Sequence, residues 1–210
     1  MALRSREACA SSRRSDLVKL ASVAAVGALA LAACTPRGPQ SASPKDAPEI
    51  VPPEGTALDL ACVTSGPELC FDAIDNNCNG LFDEGCGVQS GLVQVIAAWT
   101  EPDVDVDLVV KDPDGEVARL GAATALGLKK DRDCPGANRV CRGQNVENVF
   151  LDPDAEPRRG TYRITVRLEK LVGATPPILV RVGARAGNKS TGFSVSLSKE
   201  GDEKSFSVVY

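Results

Sequence analysis

The chain has 210 residues and a formal net charge of −4, from 24 Lys and Arg against 28 Asp and Glu. It contains no His, which excludes Ser-His-Asp and Cys-His nucleophiles and any imidazole metal ligand. The acidic excess repels phosphate backbones, so it argues against a nucleic-acid partner and favours divalent cations.

Residues 1–33 have the pattern of an export leader. Leu20 to Ala33 is a stretch of 14 residues made only of Ala, Val, Leu, Ser and Gly, which fits the apolar region of a signal peptide. It is too short for a transmembrane helix, which needs about 20 apolar residues. The basic residues that precede or open this stretch are Arg4, Arg6, Arg13, Arg14 and Lys19.

The leader ends in the run L-A-A-C, in which Leu31 is the first residue and Cys34 the last. This run resembles the lipobox of bacterial lipoproteins. The resemblance implies cleavage before Cys34, a diacylglycerol on its thiol, an N-acyl chain, and a lipid anchor in the cell envelope, on the outer membrane, facing either the periplasm or the surface. More than one acyl chain makes such anchoring stable. The alternative is an ordinary secretory signal that is cleaved without lipidation.

The predicted mature chain, residues 34–210, is long enough for one domain with appendages. The leader removes five basic and two acidic residues, which leaves a net charge of −7. Residues 34–61 contain six Pro among Ser, Gly and charged residues, a composition that cannot bury a core. We predict a flexible tether here; the alternative is an ordered arm packed on the domain.

Residues 62–90 form a Cys-rich segment, called the insert below, with an oxygen-rich loop from residue 75 to 84. Side-chain oxygens fall at loop positions 1, 3, 5 and 9, and Gly80 takes position 6, where a sharp turn needs φ > 0. This order is typical of a Ca²⁺ loop. The predicted ligands are Asp75, Asn77, Asn79, Leu81 (through its carbonyl), Asp83 and Glu84. Cys86 replaces the usual bidentate Glu at position 12, so Glu84 or Asp72 is expected to supply the missing carboxylate.

The run from Glu68 to Cys86 resembles a metal-binding motif of secreted proteins from Gram-negative soil bacteria, whose usual form is C-x-D-G-x-D-N-D-C-D-G-x-x-D-E followed by a further Cys. The chain departs from it at Ala73, where Gly is usual, and at Asn77 and Asn79, where Asp is usual. Each Asn keeps an oxygen and removes a charge, which weakens Ca²⁺ binding. The alternatives are a disulfide-stapled turn without metal and a soft-metal site, which needs free thiolates.

Six cysteines remain after Cys9 in the leader and Cys34 are set aside, and an even number in an exported chain predicts disulfides. Cys134 and Cys141 are expected to pair with each other across Pro135 and Gly136. The four cysteines of the insert allow three connectivities, which the sequence leaves open. They are Cys62, Cys70, Cys78 and Cys86.

Residues 91–210 are predicted to form an all-β domain of the β-sandwich or jelly-roll type, because apolar and polar residues alternate with the period of a half-buried strand. The turn Asp112 to Gly115 reads D-P-D-G, and residues 122–130 are predicted to be a short helix or a loop. The strand candidates are residues 92–99, 103–108, 162–169, 178–182, 193–197 and 206–208.

This region also resembles a bacterial β-sandwich domain of unknown function with a D-L-x-V-x-D-P-x-G hairpin, seen here from Asp107 to Gly115, and a later G-T-Y element at Gly160. The resemblance implies a fold and an adhesive or accessory role. Asp103, Asp105 and Asp107 lie on one predicted strand face; they form either a second Ca²⁺ site or a solvated face.

Together these patterns predict a non-enzymatic, Ca²⁺-stabilised binding or adhesion module of the cell envelope. Its expected partners are the membrane, through the lipid anchor, and a protein or other envelope component. One alternative is an accessory domain of a secreted hydrolase, or a small hydrolase itself, which needs two carboxylates in a cleft. The other is a structural envelope protein.

Overall fold

The structure is a computed structural model that describes residues 47–59, 62, 64, 66–135 and 141–210. All regular elements in this part of the chain are strands. They are β1 Glu49–Val51, β2 Leu58–Asp59, β3 Val93–Trp99, β4 Asp105–Lys111, β5 Leu128–Arg132, β6 Val146–Leu151, β7 Thr161–Lys170, β8 Ile178–Ala186, β9 Lys189–Leu197 and β10 Glu203–Val209. The predicted all-β class is confirmed. Within these ranges no helix is long and apolar enough to cross a bilayer.

The strands form two antiparallel sheets that pack as a β-sandwich. Sheet A has the order β1-β10-β7-β4, and sheet B has the order β2-β9-β8-β3-β6-β5. Alternating residues of β4 and β7 point into the space between the sheets, where Leu108, Tyr162 and Ile164 are fully buried. The period-2 pattern therefore predicts the inward face of sheet A correctly.

Strands β3 and β6 lack this alternation because both of their faces are buried. One face of β3 contributes Val95 and Ala97 to the core between the sheets. The other face contributes Ile96 and Ala98 to a second apolar cluster, formed with the insert. The insert therefore covers the outer face of sheet B.

Of the two alternatives predicted for residues 122–130, the structure has the loop and not the helix, but only as far as Gly127. Turns and isolated bridges there lead into β5, which begins at Leu128. Only Leu128 in β5 is a buried apolar residue, so this edge strand has no periodicity to detect. The predicted tether, residues 34–61, contains β1 and β2, so this part of it is the ordered arm that was the alternative. Its residues 34–46, 60 and 61 lie outside the described residues.

Residues 49–59, called the strap below, close one open side of the sandwich. Strand β1 pairs with β10 at the edge of sheet A, and β2 pairs with β9 at the edge of sheet B. Arg181 of β8 holds β2 in place, because its Nη1 lies 2.5 Å from Asp59 Oδ2. The guanidinium passes over Gly192, where a Cβ would lie 2.4 Å from Arg181 Nη2.

Candidate functional site

The insert has almost no regular secondary structure, and two disulfides define its shape. Cys62 pairs with Cys78 and Cys70 pairs with Cys86, so two loops of equal length overlap. This selects one of the three connectivities that the sequence left open. The disulfide predicted between Cys134 and Cys141 is confirmed. Cys34 lies outside the described residues.

Carboxylates replace the missing strand partners inside the insert. Glu68 accepts hydrogen bonds from the backbone N–H groups of Asn76 and Asp83, each at 3.0 Å. Asp83 Oδ1 accepts from the N–H groups of Phe71 and Asp72 at 3.0 and 3.3 Å. Buried N–H groups need such partners, so these two acids have a structural role in folding the loop.

Asp75 shapes the turn predicted to bind Ca²⁺. Its two carboxylate oxygens accept from Asn79 N at 3.0 Å and from Gly80 N at 2.7 Å. Gly80 has φ of 86°, which confirms the predicted need for a left-handed residue at this position. Asp75 is buried, so its charge is withdrawn from water and held by backbone dipoles.

Three of the predicted ligands converge at one point. The Nδ2 atoms of Asn77 and Asn79 both lie 2.5 Å from Glu84 Oε1. The Oδ1 atoms of these two Asn residues accept from backbone N–H groups two residues further on, at 3.1 and 2.8 Å. A 180° rotation of an Asn side-chain amide exchanges the positions of its nitrogen and its oxygen. In the present orientation the two amide nitrogens donate to Glu84, and after rotation the two amide oxygens would point to the same place as ligands for a cation.

The insert carries a charge that no basic residue of its own balances. Residues 62–90 contain five acidic residues and no Lys or Arg. Two of their buried carboxylate oxygens, Asp83 Oδ2 and Glu84 Oε2, have no hydrogen-bond partner in the described part of the chain. Asp83 is 0% exposed. An unpaired buried carboxylate is costly, and a hard cation with oxygen ligands would remove that cost.

The same environment shifts the protonation of the acids. Burial raises the pKa of Asp83 to about 7, and the neighbouring charge of Asp72 adds to the effect. Burial also raises the pKa of Glu68, with Glu84 as the second cause, and burial raises the pKa of Asp72. These shifts show that the folded insert disfavours its own negative charge. The donor set therefore fits a divalent cation.

The six predicted ligands do not all meet. Asn77, Asn79 and Glu84 converge, whereas Asp75 and Asp83 turn toward backbone N–H groups. For Leu81 the structure records a backbone N–H bonded to Asn79 Oδ1. The sequence spacing identified the loop, but it gave no sign that Glu68 and Asp83 hold its backbone together.

Phe82, between two of the predicted ligands, fastens the insert to sheet B. Its side chain is fully buried beside Ala73, Ile96 and Val146. The ring occupies space above Gly183, where a Cβ would lie 2.8 Å from Phe82 Cδ1. The conformation of the loop is therefore coupled to the docking of the insert.

The second predicted Ca²⁺ site does not form from Asp103, Asp105 and Asp107. Asp103 is exposed, and only Asp107 joins a carboxylate cluster, with Asp133 and Glu147 as the other members. One carboxylate oxygen from each of these three lies within 4.8 Å of the others. Burial, followed by the charge of Asp107, raises the pKa of Asp105.

Lys130 supplies a built-in cation to this cluster. Its Nζ lies 2.7 Å from Asp133 and 2.9 Å from Glu147 Oε2. Glu147 Oε2 also accepts from the N–H of Leu108 at 2.5 Å, which links β6 of sheet B to the outer edge of β4 in sheet A. We interpret the cluster as a polar brace between the sheets.

The pKa values agree with this interpretation. Burial raises the pKa of Glu147 well above its ordinary value, and its hydrogen bond with Asp133 adds to the shift. Burial opposes ionisation of Lys130 as well, but Glu147 and then Asp133 raise the pKa of Lys130. Burial also opposes ionisation of Asp133, whose pKa is nevertheless lowered by its hydrogen bond with Lys130. The raised pKa of Lys130 keeps it charged beside both acids.

Comparisons of the chain with protein-family models, with curated proteins and with solved structures find no match.

Proposed function

We propose that the chain is a lipid-anchored protein of the bacterial cell envelope whose β-sandwich is a non-enzymatic binding module and whose insert binds Ca²⁺. The lipobox-like run ending at Cys34 supports the anchor. The three disulfides support export, because such bonds persist in oxidising compartments.

The observation that most supports a bound cation is that one carboxylate oxygen of Asp83 and one of Glu84 are buried without a hydrogen-bond partner, in an insert that contains no basic residue. Carboxylate and amide oxygens are the ligands of a hard cation. Glu84 is the central ligand, because both Asn77 and Asn79 point to it. With these three side chains, Asp83 and the carbonyl of Leu81 complete the proposed set.

The test is thermal unfolding of the mature protein in EDTA and in 1 mM CaCl₂. Extracellular Ca²⁺ modules bind at about 0.1–1 mM, so mass action at about 1 mM adds roughly 0.4–1.4 kcal/mol to the free energy of unfolding. Glu84→Gln should abolish the gain. Glu203→Gln, an exposed acid on sheet A, should keep it.

Equal melting temperatures in Ca²⁺ and EDTA, together with no metal in native mass spectrometry, would remove the cation from the proposal. A larger response to Zn²⁺ or Cu⁺ than to Ca²⁺ would instead indicate a soft-metal site. Neither result would affect the proposed binding module or the proposed lipid anchor, because these depend on other residues.

A further inference from the structure

The outer face of sheet A carries a groove that the insert does not use. The groove has a volume of about 520 Å³, within the range of small-molecule sites. Strands β4, β7 and β10 form its floor, and the strap residues Val51 to Glu54 form one wall. The insert lies on sheet B, so this groove and the proposed cation site are on opposite faces.

Two positive charges face each other on the floor. Lys111 of β4 and Arg163 of β7 are direct partners in the antiparallel register, and Ser207 of β10 continues the row. Like charges in such positions destabilise a sheet. Both side chains are exposed, and neither forms an ion pair with any residue in the described ranges. The fold therefore maintains an unfavourable pair that an anion would neutralise.

A second row of the same face shows that the sheet does balance charge elsewhere. Arg167 of β7 lies opposite Asp107 on one side and Glu203 on the other. Arg167 also forms a salt bridge with Glu169 at 2.9 Å. Arg167 therefore has acidic neighbours and Arg163 has none in its row, although both Arg residues are exposed and lie four positions apart on one strand.

Hydroxyl groups surround the positive pair. Thr165 lies between Val109 and Ser205 in the neighbouring row, and its Oγ1 is 3.0 Å from Ser205 Oγ. Thr161 and Ser207 also line the groove. These groups offer donors and acceptors that match the hydroxyls of a sugar, and the guanidinium of Arg163 pairs with a planar or tetrahedral anion through two parallel N–H groups.

We propose that this groove binds an acidic saccharide, with Lys111 and Arg163 on its carboxylate or phosphate and the hydroxyls of β7 and β10 on its ring. A chain of negative net charge has no general attraction for anions, so recognition depends on this local pair. Glu54 on the rim opposes the anion and limits its affinity.

The test is calorimetric titration of the mature protein with trigalacturonate, with neutral galactotriose as the matched ligand. We expect trigalacturonate to bind at least about tenfold more tightly, because hydrogen bonds to charged groups are stronger than those between neutral groups. Arg163→Gln and Lys111→Gln should each weaken it by about tenfold. Glu54→Gln should strengthen it.

Arg167→Gln is the matched control and should change the affinity by less than about twofold, since this charge is already paired. Equal binding of the two trisaccharides, no saturation at 10 mM, or an equal loss in Arg167→Gln would overturn the proposal. Tighter binding of a poly-glutamate peptide would overturn it too, in favour of a protein ligand. Melting temperatures of the Lys111 and Arg163 variants at or above that of the native protein would show that lost binding is not lost folding.

Discussion

At the scale of single residues, a buried carboxyl group supplies a hydrogen-bond acceptor to the backbone of an edge strand. Glu147 is 1% exposed and accepts from the N–H of Leu108, so a side chain replaces the neighbouring strand that β4 lacks there. Lys130 and Asp133 make this burial tolerable, because a buried charge needs partners. The brace therefore belongs to stability rather than to metal binding.

Replacing Lys130 with Met tests this brace. The change leaves three neighbouring carboxyl groups without their cation, so we expect a loss on the order of 3 kcal/mol at pH 7. Chemical denaturation measures it. Lys129→Met is the matched control: Lys129 pairs with Asp152 at the surface, so the loss should be much smaller. Equal losses in the two variants would contradict the brace.

Asp83 predicts how stability depends on pH when no cation is present. Its folded pKa of about 7 lies above the ordinary 3.8, so the protonated form favours the folded state. The contribution is full below about pH 4 and is lost as the pH rises through about 7, by up to about 4 kcal/mol. Thermal unfolding in EDTA from pH 4 to 8 measures this slope.

Asp83→Asn should reduce that slope while keeping the backbone hydrogen bonds, because an amide oxygen can still accept from Phe71 and Asp72. We expect the variant to be more stable than the native protein at pH 7 in EDTA and to gain less from Ca²⁺. Two results would exclude a buried, unpaired carboxylate at Asp83. One is a native protein whose stability in EDTA rises from pH 4 to 8, and the other is an Asp83→Asn variant that is less stable than the native protein at pH 7.

At the scale of elements, the insert and sheet B form one packed unit through Phe82. The Phe82 side chain lies over Gly183, and the next two residues along the chain are the acidic residues Asp83 and Glu84. Movement of the ring would displace both. The insert is also held by Arg132, whose guanidinium lies over the Phe71 ring at 6.0 Å and donates to Gly87 O at 2.6 Å.

Gly183→Ala tests this coupling. The added methyl would lie 2.8 Å from Phe82 Cδ1 and 3.0 Å from Ile96 Cγ2, so the ring must move. We expect a loss of about 1–3 kcal/mol and a smaller Ca²⁺-dependent shift in melting temperature. Adding Phe82→Leu to Gly183→Ala should recover part of both. A variant with normal stability and a normal Ca²⁺ response would show that the contact is not tight.

At the scale of the whole molecule, the sandwich separates two proposed sites by its full thickness. The cation site lies in the insert on sheet B, and the saccharide groove lies on the outer face of sheet A. The strap contributes to that groove and forms one edge of each sheet with strands of three and two residues, a length that limits pairing with other chains. The strap lies within the predicted tether, so that segment also contributes to the proposed ligand groove.

Replacing Cys34 with Ala tests the anchor. In a bacterial host that processes lipoproteins, the native chain should fractionate with membranes, and its intact mass should correspond to residues 34–210 plus acyl groups. The Cys34→Ala chain should lose the acyl mass and the detergent-dependent membrane association, because a thiol is the site of lipid attachment. Cys9→Ala, within the predicted leader, is the control and should behave as the native chain does. Native protein that retains residues 1–33 with reduced thiols would contradict export.

The sequence by itself determined the features that depend on neighbouring residues. Alternation predicted β4, β7 and β10, the D-P-D-G turn was correctly identified, and Cys134 was correctly paired with Cys141, because each signal lies within a few positions. The tertiary structure alone decided the disulfides of the insert, the Lys130 brace, the contact of Phe82 with Gly183, and the register that sets Lys111 opposite Arg163. Those features join residues distant along the chain, and periodicity reports which face of a strand is buried but not which strand lies beside it.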